Sequence, residues 1–255
     1  MSDLILVESL DPGVLSVKLN RPDRRNALNL DLLQCLCAEI DRLASEQVHR
    51  VVILSGAGSM FSSGLDLREA ADVSLAEPLA ATVSRALKLL RSTPLVTIAA
   101  VHGGALAGGA GLMAACDIAI ATADAKFGFP EVRRGLLPAL ITGVLRYKVR
   151  EGDLRELFLT GEAIDAARAL QLGLVQRVVP PHRLAEEARN LARSVVAGGP
   201  ETIRRTKELL NLVFGFREEH DPDLVGLHLA ARHSEEAREG LSAFVEKREP
   251  TWLRK

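Results

Sequence analysis

The sequence lacks most of what would place it in several large functional classes. Three cysteines in 255 residues, with Cys35 and Cys37 only two apart, exclude a disulfide framework and point to a reduced, intracellular protein. One Trp, one Tyr and seven Phe leave few platforms for stacking single-stranded bases. No sign of charge is in excess: 32 Lys and Arg stand against 33 Asp and Glu, for a formal net charge of -1. No global field therefore holds nucleic acid or an anionic membrane. Long apolar runs are missing too. The most apolar region, 94–123, is interrupted by five glycines, His102 and Asp117, whereas a membrane helix needs about 20 nearly uninterrupted apolar residues. Met1-Ser2-Asp3-Leu4 carries an acid where a secretory leader carries Lys or Arg, so a cytoplasmic location is expected. The length suits one large domain, or one domain with an appendage.

What is present is a regular alternation. Leu4–Ser9 and Val14–Leu19 flank Asp11-Pro12-Gly13 and read as a hairpin. Leu30, Leu33, Leu36, Cys37, Ile40 and Leu43 recur at helical spacing within 29–47. The β-branched run 50–55 reads as a buried strand, and a helix over 80–91 is ended by Pro94. Strands are expected at 95–101 and 117–121, around a glycine-rich turn at 103–111 and a helix at 112–115. Strands alternating with helices argue for an α/β fold with parallel pairing. Helices are expected at 154–159 and 165–170, then Gly173 as a cap before a strand at 174–179. Beyond Arg183 only helical periodicity is visible. Residues 201–255 hold 21 charged side chains and 94–123 hold one. The boundary is accordingly set near Gly198, between an α/β core (1–197) and a helical C-terminal region (198–255).

Two glycine-rich turns follow strands, at 56–66 and 102–111. Such turns let backbone approach a ligand and leave N–H groups free to donate. Two of them suggest paired donors converging on one acceptor, as in an oxyanion hole. Rival readings fail on spacing. Gly109-x-Gly111-x-x-Ala114 resembles a dinucleotide fingerprint, but eight residues part it from the strand end at Val101. There is no phosphate loop, no HExxH and no G-x-S-x-G. The histidines are scattered; His228 and His233 stand five apart, wrong for a metal site on one helix face. His102 reads as structural. Glu131, in Phe127-Gly128-Phe129-Pro130-Glu131, is either a proton-transfer group raised by apolar neighbours or an acid favoured in a helix first turn. Spacing alone does not choose.

The residues carry a wider resemblance. Leu19-Asn20-Arg21-Pro22, Asn26-Ala27-Leu28-Asn29, Phe61 to Leu67, Ala107 to Leu112, Ala115-Cys116-Asp117 and Phe127 to Glu131 belong to it. So do Leu159-Thr160-Gly161, Gly173-Leu174-Val175 and Gly240 to Arg248. The chain resembles the crotonase superfamily, the enoyl-CoA hydratase/isomerase family, over nearly its whole length. The resemblance implies an α/β spiral of β-β-α units whose C-terminal helices build trimers or hexamers. It implies an acyl-CoA thioester as substrate, coenzyme A being part of that substrate, with no further cofactor, metal, nucleic acid or membrane partner. It assigns the oxyanion hole to Leu65 and Gly108 and proton transfer to Glu131. Coenzyme A would lie along Arg24, Arg25 and Ala27 and along Ser63, Leu65, Asp66, Leu67 and Arg68. Gly111 and Phe127 belong to the substrate site, and Lys247 reaches in from a neighbouring subunit.

One departure matters. Hydratases of the best-known type carry a second glutamate three residues after the oxyanion-hole glycine, where this chain has Gly111. Two carboxylates divide acid and base roles; one suffices for a 3-enoyl to 2-enoyl isomerase. The pattern from Ala107 to Asp117 and from Pro130 to Ala139 is also similar to single-glutamate hydratases such as 3-methylglutaconyl-CoA hydratase. The expectation is a hydratase of a branched or dicarboxylic 2-enoyl-CoA, with Gly111 making room and Arg133, Arg134 or a backbone donor meeting a free acid. The alternatives are the isomerase and a non-catalytic relative that binds acyl-CoA or RNA. The segment 70–79 is expected to border the acyl or coenzyme A pocket.

Overall fold

A computed structural model describes residues 4–214 and 223–253. β1 (Ile5–Asp11) and β2 (Val14–Leu19) form the hairpin, turned at Gly13 with φ +78°. Asn29 caps α1 (Leu30–Ser45), accepting a hydrogen bond from Leu32 N at 3.2 Å. The six side chains expected on its apolar face are buried, apart from Leu30 at the first turn, which is half-buried while Leu32 is covered. β3 (Val51–Gly56) then lies parallel to β2.

Three turns of a β-β-α spiral follow. After β3, Ser62 makes a single bridge to Ala105 before α2 (Leu67–Ala71) and α3 (Ala76–Ser92). β4 (Val96–Val101) leads to β5 (Gly104–Leu106) and α4 (Gly108–Ala115). β6 (Ile118–Thr122) leads to β7 (Lys126–Gly128), a 3-10 turn over Pro130–Arg134, and α5 (Ala139–Leu145). α6 (Glu151–Thr160), β8 (Ala163–Asp165), α7 (Ala166–Gln171) and β9 (Arg177–Val179) complete the core. The large sheet runs β1-β2-β3-β4-β6-β9, parallel from β2 onward, and the small sheet runs β5-β7-β8.

Strand alternation explains why these strands read as unbroken apolar runs. Val52 and Leu54 face the main core, while Val51 and Ile53 face a second layer made with α8 (Leu184–Val196) through Leu184, Ala188 and Ala192. The expected glycine-rich turn at 103–111 in fact holds all of β5 and the first turn of α4. Its short strand of small residues carries no period for a sequence reading to catch. Three C-terminal helices follow: α9 (Pro200–Val213), α10 (Leu224–Arg232) and α11 (Glu235–Val245). α10 packs on α3 and α5, and α11 packs on α2 and the 130–134 turn. Among the described residues, no helix is long and apolar enough to cross a membrane.

Candidate active site

Two segments meet where the first two spiral turns touch. Leu28 donates its N–H to the Gly64 carbonyl and accepts from Asp66 N, at 2.8 and 2.9 Å. In that parallel bridge the N–H of the intervening Leu65 points away from Leu28 and makes no hydrogen bond among the described residues. Gly64, at φ +91°, is needed here: a Cβ on it would lie 2.8 Å from the Leu106 carbonyl and 3.4 Å from Gly108 N. Gly108 opens α4, so its N–H has no partner within the helix and sits at the positive end of the dipole. The residue before it, Ala107, holds φ 48° and ψ -124°, a strained conformation for a side chain. β7 fixes that turn, because Ala107 N donates to the Gly128 carbonyl at 2.8 Å. Two free N–H groups are thus held together on rigid backbone, which is the arrangement that stabilises a developing oxyanion.

Leu65 and Gly108 line a cavity of about 60 Å³. Its other walls are mostly apolar, with Val83, Leu136, Leu137, Leu140 and Ile141 among them; the side chains able to exchange protons or hold charge are Glu131, Arg134 and His228. Glu131 stands in the first turn of the 130–134 segment after Pro130. Its Oε2 is buried and, among the described residues, without a hydrogen-bond partner. Burial raises its carboxyl to about 7, against the opposing pull of a hydrogen bond with its own backbone and of the Arg134 cation. A carboxyl in that state loses and regains a proton readily near neutrality.

A family model described as enoyl-CoA hydratase/isomerase matches residues 10–255. The chain belongs to the enoyl-CoA hydratase/isomerase family. It is 35% identical over 257 residues to 2,3-dehydroadipyl-CoA hydratase of Escherichia coli, covering 98% of each chain. It is 34% identical over 251 residues to mitochondrial enoyl-CoA hydratase domain-containing protein 3 of Mus musculus, covering 94% of this chain and 81% of that one. The crystal structure of an enoyl-CoA hydratase from Mycobacterium avium superposes with a TM-score of 0.89 at 32% identity, over 99% of this chain and 100% of the other. This enoyl-CoA hydratase/isomerase family member is therefore an enzyme built on the crotonase fold.

Of the family positions assigned from sequence, Ser63, Leu65, Leu67, Gly108 and Glu131 share the cavity. Arg24, Arg25 and Arg68 are exposed and Ala27 is buried, and none of the four lines the cavity. Arg25 and Asn26 both take positive φ, and the Arg25 carbonyl accepts from Ser63 N at 3.0 Å. Asp66 is engaged structurally: its carboxylate caps α2 and pairs with Arg21 at 3.1 Å. Phe127 is fully buried in the main core and is not on the cavity wall. Lys247 is exposed, at φ 55° in the segment after α11.

Three expectations need correcting. Gly111 does not make room for a branched substrate, because a Cβ there would lie 2.5 Å from Ile141 Cγ2. The space is already filled by α5, and it is Ile141 that reaches the cavity. Arg133 turns away, its Nε donating to the Thr160 carbonyl at 3.1 Å; Arg134 alone of the pair lines the cavity. Of the segment 67–83, Leu67 and Val83 reach the wall and 70–79 does not. His228, set aside above as a metal ligand, is not marked by the sequence as part of this cavity. It stands on α10, nearly a hundred residues beyond Glu131, and no motif marks it.

Proposed function

We propose that the chain adds water reversibly across a 2-enoyl-CoA whose acyl group is branched or carries a second carboxylate, as in 3-methylglutaconyl-CoA. The observation that carries this reading is the juxtaposition of the Leu65 and Gly108 N–H groups with Glu131, whose Oε2 is buried and without a hydrogen-bond partner among the described residues, on a single mostly apolar cavity. The thioester carbonyl accepts from the two N–H groups, and the enolate charge that develops on it is stabilised there. Glu131, ionised, takes a proton from water as the water oxygen bonds C3. The resulting carboxylic acid then returns that proton to C2. The dehydration direction runs the same steps backward, so Glu131 begins ionised in both.

Arg134 supports the dicarboxylic substrate class. It faces the cavity and makes no carboxylate ion pair among the described residues, and its cation stacks over Phe244 at 5.0 Å. The E. coli relative named for a dicarboxylic enoyl-CoA points the same way. Coenzyme A would follow Arg24, Arg25, Ala27 and Arg68, with Lys247 of a neighbouring subunit at its phosphates. Trimers or hexamers would cover Leu209, Leu210, Leu212 and Val213, which α9 exposes. The three free cysteines suit a cytoplasmic setting.

The isomerase reading has its own support, because Ile141 fills the space of a second carboxylate and migration of a double bond needs only one. A panel of crotonyl-, 3-methylglutaconyl-, 2,3-dehydroadipyl- and 3-hexenoyl-CoA separates the readings. Hydration fastest on the dicarboxylic thioesters is the expected result. Migration of the 3-hexenoyl double bond with no water uptake on any substrate makes the protein an isomerase, and turnover of none makes it a binding relative.

A further inference from the structure

We infer that His228 is the second acceptor that holds the attacking water, a part taken in two-carboxylate hydratases by the glutamate that Gly111 and Ile141 leave no space for. The inference rests on the hydratase reading above. Hydration needs a water whose lone pair faces C3, so both of its hydrogens must be donated elsewhere. Glu131 accepts one of them. The other polar side chains on the wall are Arg134, a donor only, and Ser63, whose hydroxyl can accept but which belongs to the segment that carries Leu65.

His228 has the required chemistry. α10 packs it against α3 and α5, leaving it 8% exposed, with its accessible edge on the same cavity as Glu131. Burial, with the Arg232 cation nearby, lowers the imidazole to about 4, so the ring is neutral near pH 7. A neutral imidazole has one N–H donor, and its other nitrogen carries only a lone pair. Such a nitrogen repels a substrate carboxylate and accepts from water. His228 need not change charge: the proton that moves from water to C2 travels through Glu131, while the second hydrogen of the water stays on the product hydroxyl.

The test compares His228→Leu with His228→Gln, which keeps an amide oxygen to accept from water. Two reactions are followed: hydration of the best substrate from the panel, and deuterium exchange at C2 of a saturated acyl-CoA in heavy water. Exchange uses Leu65, Gly108 and Glu131 but adds no water. The Leu variant should lose about 100-fold in hydration kcat, the scale of a misplaced reactant, with KM and exchange changed by less than about threefold. The Gln variant should recover most of the loss. Hydration unaffected in the Leu variant overturns the inference while leaving the hydratase reading intact. Hydration and exchange falling together in both variants also overturns it, giving His228 a purely structural part. A wild-type chain that exchanges but hydrates nothing overturns both readings.

Discussion

Gly111 and Ile141 are in direct contact: a Cβ on Gly111 would stand 2.5 Å from Ile141 Cγ2, 3.2 Å from Ile141 Cβ and 3.5 Å from Leu87 Cδ2. The absence of a second carboxylate is therefore a packed state and not a vacancy. Gly111→Glu alone should destabilise the fold by about 1–3 kcal/mol through overpacking, with a further cost for a buried carboxyl. Ile141→Ala opens the space, so the double variant should be more stable than the sum of the two single changes. It should also hydrate crotonyl-CoA faster than Ile141→Ala does. Urea unfolding of the four proteins measures the coupling, and additive losses would show that the two positions do not touch.

In the proposed mechanism Glu131 sets the pH dependence. Its carboxyl is raised to about 7 by burial, and both directions of the reaction begin with it ionised. kcat/KM should therefore rise with pH through about 7 and level off above it. Arg134 pulls in the opposite sense to burial, so Arg134→Gln should move the midpoint upward. Glu131→Gln should abolish turnover and leave coenzyme A binding intact.

The same shift has a stability consequence. The folded chain binds a proton at Glu131 between about 4.5 and 7 that the unfolded chain has released. Stability from this group is complete below about 4.5 and declines as pH rises to about 7. Glu131→Gln should thus be more stable than wild type at pH 8, by on the order of 1–3 kcal/mol, and nearly equal to it at pH 4. Thermal melts at the two pH values check the sign; a Gln variant less stable at pH 8 contradicts the burial of the charge.

The proposed oxyanion hole depends on Gly64 as much as on the donors themselves. Gly64→Ala puts a Cβ 2.8 Å from the Leu106 carbonyl and 2.9 Å from Ala107 Cβ, at a φ of +91° that side chains avoid. The segment carrying Leu65 must then withdraw from Gly108. The expected loss is about 10²–10³ in kcat, the scale of one lost donor, with a smaller effect on KM. Steady-state kinetics separates this from a binding defect.

Much of this was legible in the sequence because the signals were local. The buried strands showed as β-branched runs, α1 showed its period, and the Gly64 and Gly108 turns stood out by composition. The site residues that are backbone donors came through the family resemblance, and they fall together on one cavity wall. What was not legible depends on distant packing. Nothing near Gly111 shows that Ile141, thirty residues on, occupies its space. Adjacent Arg133 and Arg134 look alike in sequence, yet the five-residue 3-10 turn sends one to the Thr160 carbonyl and the other into the cavity. His228 sits in an apolar stretch of α10, where its neighbours mark a core helix, and only the packing of α10 on α3 and α5 brings it to the cavity that Glu131 lines.

Lys207 fastens the C-terminal helices to the sheet. It is the one residue of α9 that is buried, at 7% exposure. Its Nζ pairs with Asp117 Oδ2 at 2.8 Å and donates to the Leu95 carbonyl at 2.7 Å. The same carboxylate oxygen accepts from Thr97 N at 2.8 Å and from Thr97 Oγ1 at 3.1 Å. One cation thus joins α9 to the entries of β4 and β6, while Leu209, Leu210, Leu212 and Val213 of the same helix face outward. Removing one partner of a buried pair leaves the other uncompensated, so Lys207→Met should cost about 3 kcal/mol. Exposed pairs on the same helix give the contrast: breaking Arg204–Glu201 should cost less than about 1 kcal/mol. Asp117→Asn combined with Lys207→Met should cost less than the two separately, since neither of these two partners is left facing the other's loss. Salt should weaken the exposed pair more than the Lys207–Asp117 coupling, because Lys207 is buried and Asp117 half-buried, so the pair is less screened. Urea titrations at low and high salt measure both, and a salt-sensitive Lys207 coupling would mean that water reaches the pair.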